Sequence, residues 1–133
     1  MHTDPQTALF THNPACGTSR GALALLQERG ITVTVRHYLE PDQKLSEAEL
    51  RQIAAMMARP GQPPVSPLGF LRGSEADAFG ITLDTTDEEL FALMAAHPIL
   101  VNRPLVVWQG RAVLARPKEV LLHLLDPDAV LEG

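Results

Sequence analysis

The stretch Thr7-Ala8-Leu9-Phe10-Thr11-His12-Asn13-Pro14-Ala15-Cys16-Gly17-Thr18-Ser19-Arg20 decides the fold, because a short apolar strand, a proline-bearing turn and a helix start follow one another directly. Leucines and alanines recur at helical spacing over 18–29, and Gly30 supplies a stop signal. Ile31-Thr32-Val33-Thr34-Val35-Arg36-His37-Tyr38 then alternates apolar β-branched with polar residues, as a second strand does. Strand, helix, strand is a βαβ unit, so the two strands are expected to be parallel with a right-handed crossover.

Outward from this unit, Leu39-Glu40-Pro41-Asp42 breaks the pattern. Ser46 and Glu49 form a capping box opening a helix with Leu50, Ile53, Ala54 and Met57 on its core face. Residues 59–69 carry Pro60, Pro63, Pro64 and Pro67 and are expected to be irregular, before a short helix over 74–79 that ends at Gly80. Thr86 with Glu89 is a second capping box, and Leu90, Leu93, Met94 and His97 form its stripe. His97 at the helix end is read as facing the dipole rather than as a ligand. Leu105-Val106-Val107-Trp108, a turn at Gln109-Gly110 and Ala112-Val113-Leu114-Ala115 read as a hairpin. Pro117 is placed at the first position of a last helix burying Val120, Leu121, Leu124 and Leu125 and ended by Asp126-Pro127. A parallel pair followed by a hairpin gives an α/β fold whose order matches a thioredoxin-like mixed four-stranded sheet flanked by helices. The chain reads as one domain over 1–133.

The 133 residues are 45% hydrophobic, enough for a globular core without staples. A formal charge of −5 leaves no basic footprint for nucleic acid, so any anion must be met by a local group of arginines. The single cysteine makes no internal disulfide, and neither a signal segment nor a membrane span is read, so a reducing, cytoplasmic setting is expected; nothing in the sequence suggests an obligate interface, and a monomer is expected.

Cys16 falls at a helix N-terminus, where free N–H groups and the helix dipole favour a thiolate or a bound oxyanion. A lone cysteine is often a buried structural thiol, but the strand-to-helix turn between Pro14 and Gly17 points to a reactive one. Thr18 and Ser19 offer hydroxyls either to the sulfur or as caps. His12 is a candidate for tuning the thiolate, with a structural loop contact as the alternative; no metal site is expected, because no second ligand lies at ligand spacing. Cys16-Gly17-Thr18-Ser19 is Cys-x-x-Ser, so redox chemistry here needs a thiol from outside. Arg103 and Arg116 each precede a proline and bracket the hairpin, which brings them to one end of the sheet. Their planar forks suit a tetrahedral oxyanion if that end faces Cys16.

His12 to Arg20, Tyr38-Leu39-Glu40, His97-Pro98-Ile99-Leu100-Val101-Asn102-Arg103-Pro104, and Arg116-Pro117 with Glu119-Val120 together resemble the glutathione- and glutaredoxin-coupled arsenate reductases. The resemblance implies a thioredoxin-like core with a helical insertion at about 42–97, and reduction of arsenate to arsenite, with no bound cofactor and with glutathione as co-substrate and glutaredoxin as partner. It implies that Cys16 attacks arsenate held by Arg103, Arg116 and a third arginine. Arg72 matches that third position best and Arg59 is the fallback. It further implies that His12 and Ser19 lower the thiol pKa and that Pro104 is a cis-proline shaping the site. Two other readings stand beside it. One is a paralogue of that family acting on another substrate; the other is a redox-responsive transcriptional regulator of the same fold, against which Ser19 in place of a second cysteine counts.

Overall fold

The computed structural model describes residues 7–59 and 61–125. It divides the chain into two compact units, one formed by Met1–His37 with Arg103–Gly133 and the other by Tyr38–Asn102.

The first unit holds the whole sheet. Strand β1 (Thr7–Thr11) leads into helix α1 (Gly17–Glu28), and β2 (Thr32–Arg36) returns parallel to β1. Helix α1 ends where the Gly30 N–H bonds the Gln27 carbonyl, and Gly30 takes a φ of 74°, a left-handed value that glycine adopts without a Cβ penalty. Strands β3 (Leu105–Trp108) and β4 (Arg111–Leu114) form the hairpin. Its turn has φ of 50° at Gln109 and 77° at Gly110, and two positive φ values in a two-residue loop match the right-handed twist of the strands. With β3 antiparallel to β1, the sheet order is β2-β1-β3-β4. This is the mixed thioredoxin-like sheet that the sequence pattern implies.

Ala8 and Phe10 of β1, Val106 of β3, Ala22 and Leu26 of α1, and Leu121 and Leu124 form one buried cluster with Ala115. Helix α1 presents Ser19, Ala22 and Leu26 to this interior, an i, i+3, i+7 stripe with a hydroxyl in its first turn. The last helix differs from expectation. Pro117 precedes the helical residues instead of opening them, a 3₁₀ turn spans Lys118–Val120, and a further helix covers Leu121–Leu125. Only Leu121 and Leu124 are fully buried there. The expected stop at Asp126-Pro127 lies outside the described residues.

In the second unit, α2 (Glu47–Met57) and α4 (Asp87–Ala96) each begin with the capping box read from sequence, Ser46 with Glu49 and Thr86 with Glu89. Between them lie a 3₁₀ turn (Pro67–Phe70), the short α3 (Gly73–Ala76) and a second 3₁₀ turn (Asp77–Phe79). The buried face of α4 is Leu90, Phe91 and Met94, while Leu93 is half-buried and His97 is exposed as its C-cap. The α4 segment is apolar nearly all round, so periodicity does not select its inner face. Packing does, with the Arg51 guanidinium 4.6 Å from the Phe91 ring centre. His97 instead stacks against Phe79 at 4.7 Å between ring centroids.

Leu26→Ala, at a fully buried position of the first unit's core, is expected to lower unfolding free energy by about 2–5 kcal/mol, read by urea denaturation.

Candidate active site

Strand β1 ends on Thr11, whose buried hydroxyl donates to the Leu105 carbonyl at 3.1 Å and accepts the Leu105 N–H at 2.8 Å. One side chain thereby fixes the start of β3 against the end of β1. The His12 N–H continues the β1–β2 pairing to the Arg36 carbonyl at 2.9 Å. The chain then turns. Asn13 organises that turn with three bonds, its Oδ1 accepting from the Ala15 N–H at 3.0 Å and its carbonyl from the Cys16 N–H at 2.9 Å. Its own N–H donates to Ser19 Oγ at 3.1 Å.

Cys16 is the N-cap of α1, in extended geometry, with no side-chain cap. The residue is half-buried. The hairpin meets it from the other side. The Ala115 N–H donates to the Pro104 carbonyl at 2.9 Å, which holds the two hairpin ends together. Arg116 Nη1 lies 3.5 Å from Cys16 Sγ and donates to the Arg103 carbonyl at 3.2 Å. Both arginines precede cis peptide bonds, Arg103–Pro104 and Arg116–Pro117. The structure thus brings Cys16, His12, Ser19, Pro104, Arg103 and Arg116 into one unit, with both hairpin arginines at the sulfur.

Burial pushes the Cys16 thiol up, but the Ser19 N–H, the Arg103 and Arg116 side chains and the Thr18 N–H outweigh it and bring the thiol from 9.0 to about 7. The helix acts here through its main-chain N–H groups. The Ser19 hydroxyl does something else: it is fully buried and sits 2.8 Å from His12 Nδ1. Burial, then His37, then Arg20 hold His12 below its usual 6.5, so the ring is neutral at neutral pH. A hydroxyl has one proton to give, and Ser19 Oγ already accepts from Asn13. Ser19 Oγ thus joins the Asn13 N–H and the His12 ring in one network. His12 therefore bears on the thiol through Ser19, not by charge.

Arg72 belongs to the Tyr38–Asn102 unit, where its N–H bonds the Leu100 carbonyl at 2.8 Å and its Nη1 lies 3.7 Å from Glu75 Oε1. Arg59, also of that unit, is exposed. Thr11, Asn13 and Arg20 shape the thiol loop and were not singled out as site residues by sequence. Asn-Pro is a turn signal that could have marked Asn13, and Arg20 stands at i+4 from Cys16. Arg20 Nη1 donates to the Pro14 carbonyl at 2.8 Å. Among the described residues no group of three His, Cys, Asp or Glu is placed to hold a metal ion, and no helix is long and apolar enough to cross a membrane.

Fold and site together define a thioredoxin-like protein built around one activated thiol flanked by two arginines. Residues 74–124 match the ArsC family. The chain is 40% identical over 123 residues to an arsenate reductase of Acidiphilium multivorum, covering 89% of this chain and 79% of that one. It is 38% identical over 123 residues to an arsenate reductase of Escherichia coli K12, with the same coverage. Among solved structures, an arsenate reductase from Vibrio cholerae superposes with a TM-score of 0.72 at 32% identity, over 90% of this chain and 98% of that one. The chain belongs to the ArsC family.

Alkylation of Cys16 by iodoacetamide is expected to rise with pH through a midpoint near 7 and to level off above it. Because the Arg116 side chain favours the thiolate, Arg116→Gln is expected to move that midpoint upward, as read from alkylation rate against pH.

Proposed function

We propose that this chain is an arsenate reductase that converts arsenate to arsenite at Cys16 with glutathione and glutaredoxin as external thiols. The observation that carries this reading is the Cys16 sulfur, brought to about 7 and set 3.5 Å from Arg116 Nη1 with Arg103 beside it. A thiolate and two guanidiniums in one place form a nucleophile already paired with groups that neutralise a tetrahedral oxyanion. Relatives named arsenate reductase over most of the chain's length supply the substrate.

On this reading the Cys16 thiolate attacks arsenic, and an arsenate oxygen leaves as water after protonation. The adduct is still pentavalent. Glutathione condenses with it, forming a second sulfur–arsenic bond and losing another water. A glutaredoxin thiolate then attacks the glutathione sulfur, giving a mixed disulfide and leaving two electrons on arsenic. Water displaces the Cys16 sulfur from trivalent arsenic, releasing arsenite and restoring the thiol. Both reducing thiols come from outside because the chain has one cysteine. The reducing pool they require places the protein in the cytoplasm.

Arg103 and Arg116 hold the oxyanion, and Arg72 is the third arginine on the same reading. Ser19 and His12 are positioning residues, the first through its N–H at the sulfur and the second through the Ser19 hydroxyl. Pro104 shapes the thiol's surroundings.

With glutathione, glutaredoxin and NADPH-linked recycling, the purified protein is expected to show arsenate-dependent NADPH oxidation that Cys16→Ser reduces to the no-enzyme rate. A wild-type rate equal to that control would refute the reading. Arg103→Lys and Arg116→Lys each replace a two-pronged donor by a point charge and are expected to raise the KM for arsenate about tenfold. The same assay with Arg72→Gln and Arg59→Gln identifies the third arginine, with the loss expected at Arg72.

A further inference from the structure

We propose that Arg20 and Lys118 form a second anion subsite beside Cys16 that docks the carboxylates of the incoming glutathione. The inference rests on the reading of glutathione as co-substrate given above and names where it binds.

The chain carries a net charge of −5, yet its charges are unevenly divided. Within the sheet-bearing unit, the described residues include Arg20, Arg29, Arg36, Arg103, Arg111, Arg116 and Lys118 against only Glu28 and Glu119. Two of these cations lie along the first turns of α1, the helix that opens at Cys16. The Arg20 side chain turns back toward the helix start, where Nη1 bonds the Pro14 carbonyl and Nη2 lies 3.7 Å from where a Cβ on Gly17 would stand. Its guanidinium thus covers the residues flanking Cys16. Lys118, two positions beyond Arg116, crosses α1 one turn later, its Cδ and Nζ 3.3 and 3.8 Å from where a Cβ on Gly21 would stand. Gly17 and Gly21 are i and i+4 and share one helix face, so the two cations line neighbouring turns of it. Both side chains are exposed, and neither is ion-paired to a carboxylate among the described residues.

A second anion needs a second set of charges. Once an oxyanion occupies Arg103 and Arg116, their charge is neutralised, and a tripeptide thiol with two carboxylates approaches a site that no longer attracts it. Arg20 and Lys118 meet that charge without competing for the oxyanion. Arg20 suits a carboxylate through its planar fork, and Lys118 adds a mobile point charge.

The test uses a reaction that needs no arsenic. The Cys16 thiolate attacks glutathione disulfide, forming a mixed disulfide while the other glutathione leaves as thiolate. The same thiolate attacks neutral hydroxyethyl disulfide in the same way, and the ratio of the two rate constants isolates recognition of the carboxylates. Arg20→Gln or Lys118→Gln is expected to lower that ratio about threefold, and the double variant about tenfold, the range of exposed charge pairs. Arg20→Lys and Lys118→Arg are expected to retain most of it, and raised salt is expected to lower it in the unmodified protein. In turnover, the double variant is expected to raise the KM for glutathione. An unchanged ratio, or equal losses with both disulfides, would overturn the subsite. A raised KM for glutaredoxin with an unchanged ratio would overturn it too and assign the cations to a protein partner. A lowered ratio in a protein that fails to reduce arsenate would uphold the subsite and refute the proposed function.

Discussion

The Thr11 hydroxyl, clasping both backbone groups of Leu105, is the contact from which the site's geometry follows. It lies inside the protein, where a satisfied polar pair holds its partners in one arrangement and an unsatisfied one is costly. Through it the end of β1 and the start of β3 share a register, which sets Arg103 and Pro104 alongside the loop that follows β1. The Ala115 N–H on the Pro104 carbonyl then carries Arg116 to the same place. The cations reach the sulfur because the backbone delivers them there, with little left for long side chains to search.

The thiol itself is a balance. Burial alone favours the protonated form, and two helix N–H groups and two guanidiniums reverse that preference. Neutral His12 adds no charge to this balance. Its Nδ1 is hydrogen-bonded to the Ser19 hydroxyl, while Asn13 gives its N–H to the same oxygen, so the first turn of α1 is anchored to the strand end before it. The main-chain groups at the sulfur are as well placed as that anchor allows.

Much of this is written locally in the chain. The alternation over 31–38, the two capping boxes and Gln109-Gly110 act within a few residues, and the fold follows them closely. The convergence of Arg103 and Arg116 was legible as a shared sheet end, and the register of β1 with β3 turns that into contact with Cys16. Other features depend on packing. Ser19 reads as a cap or a sulfur ligand, but Cys16 occupies the N-cap itself and the stripe of α1 turns the serine inward. Phe91 is indistinguishable from its apolar neighbours until Arg51 covers its ring. Pro117 carries a helix-opening signal, yet it stands one step outside the helical residues. Asn13 and Thr11 are ordinary polar residues by sequence, and only their long-range or turn-closing bonds give them weight.

The buried Ser19 also decides how the protein ages under oxidants. Where a second sulfur would sit, a hydroxyl is engaged with His12 and Asn13, and a thiol is too weak a hydrogen-bonding group to replace it on equal terms. With one cysteine in the chain, a sulfenic acid formed at Cys16 has no internal thiol with which to condense. It is capped by a small thiol and later released, or it climbs to the sulfinic state and is lost. A sulfur made reactive by its surroundings, with no neighbour to shelter it, ties the lifetime of each molecule to the thiol supply around it.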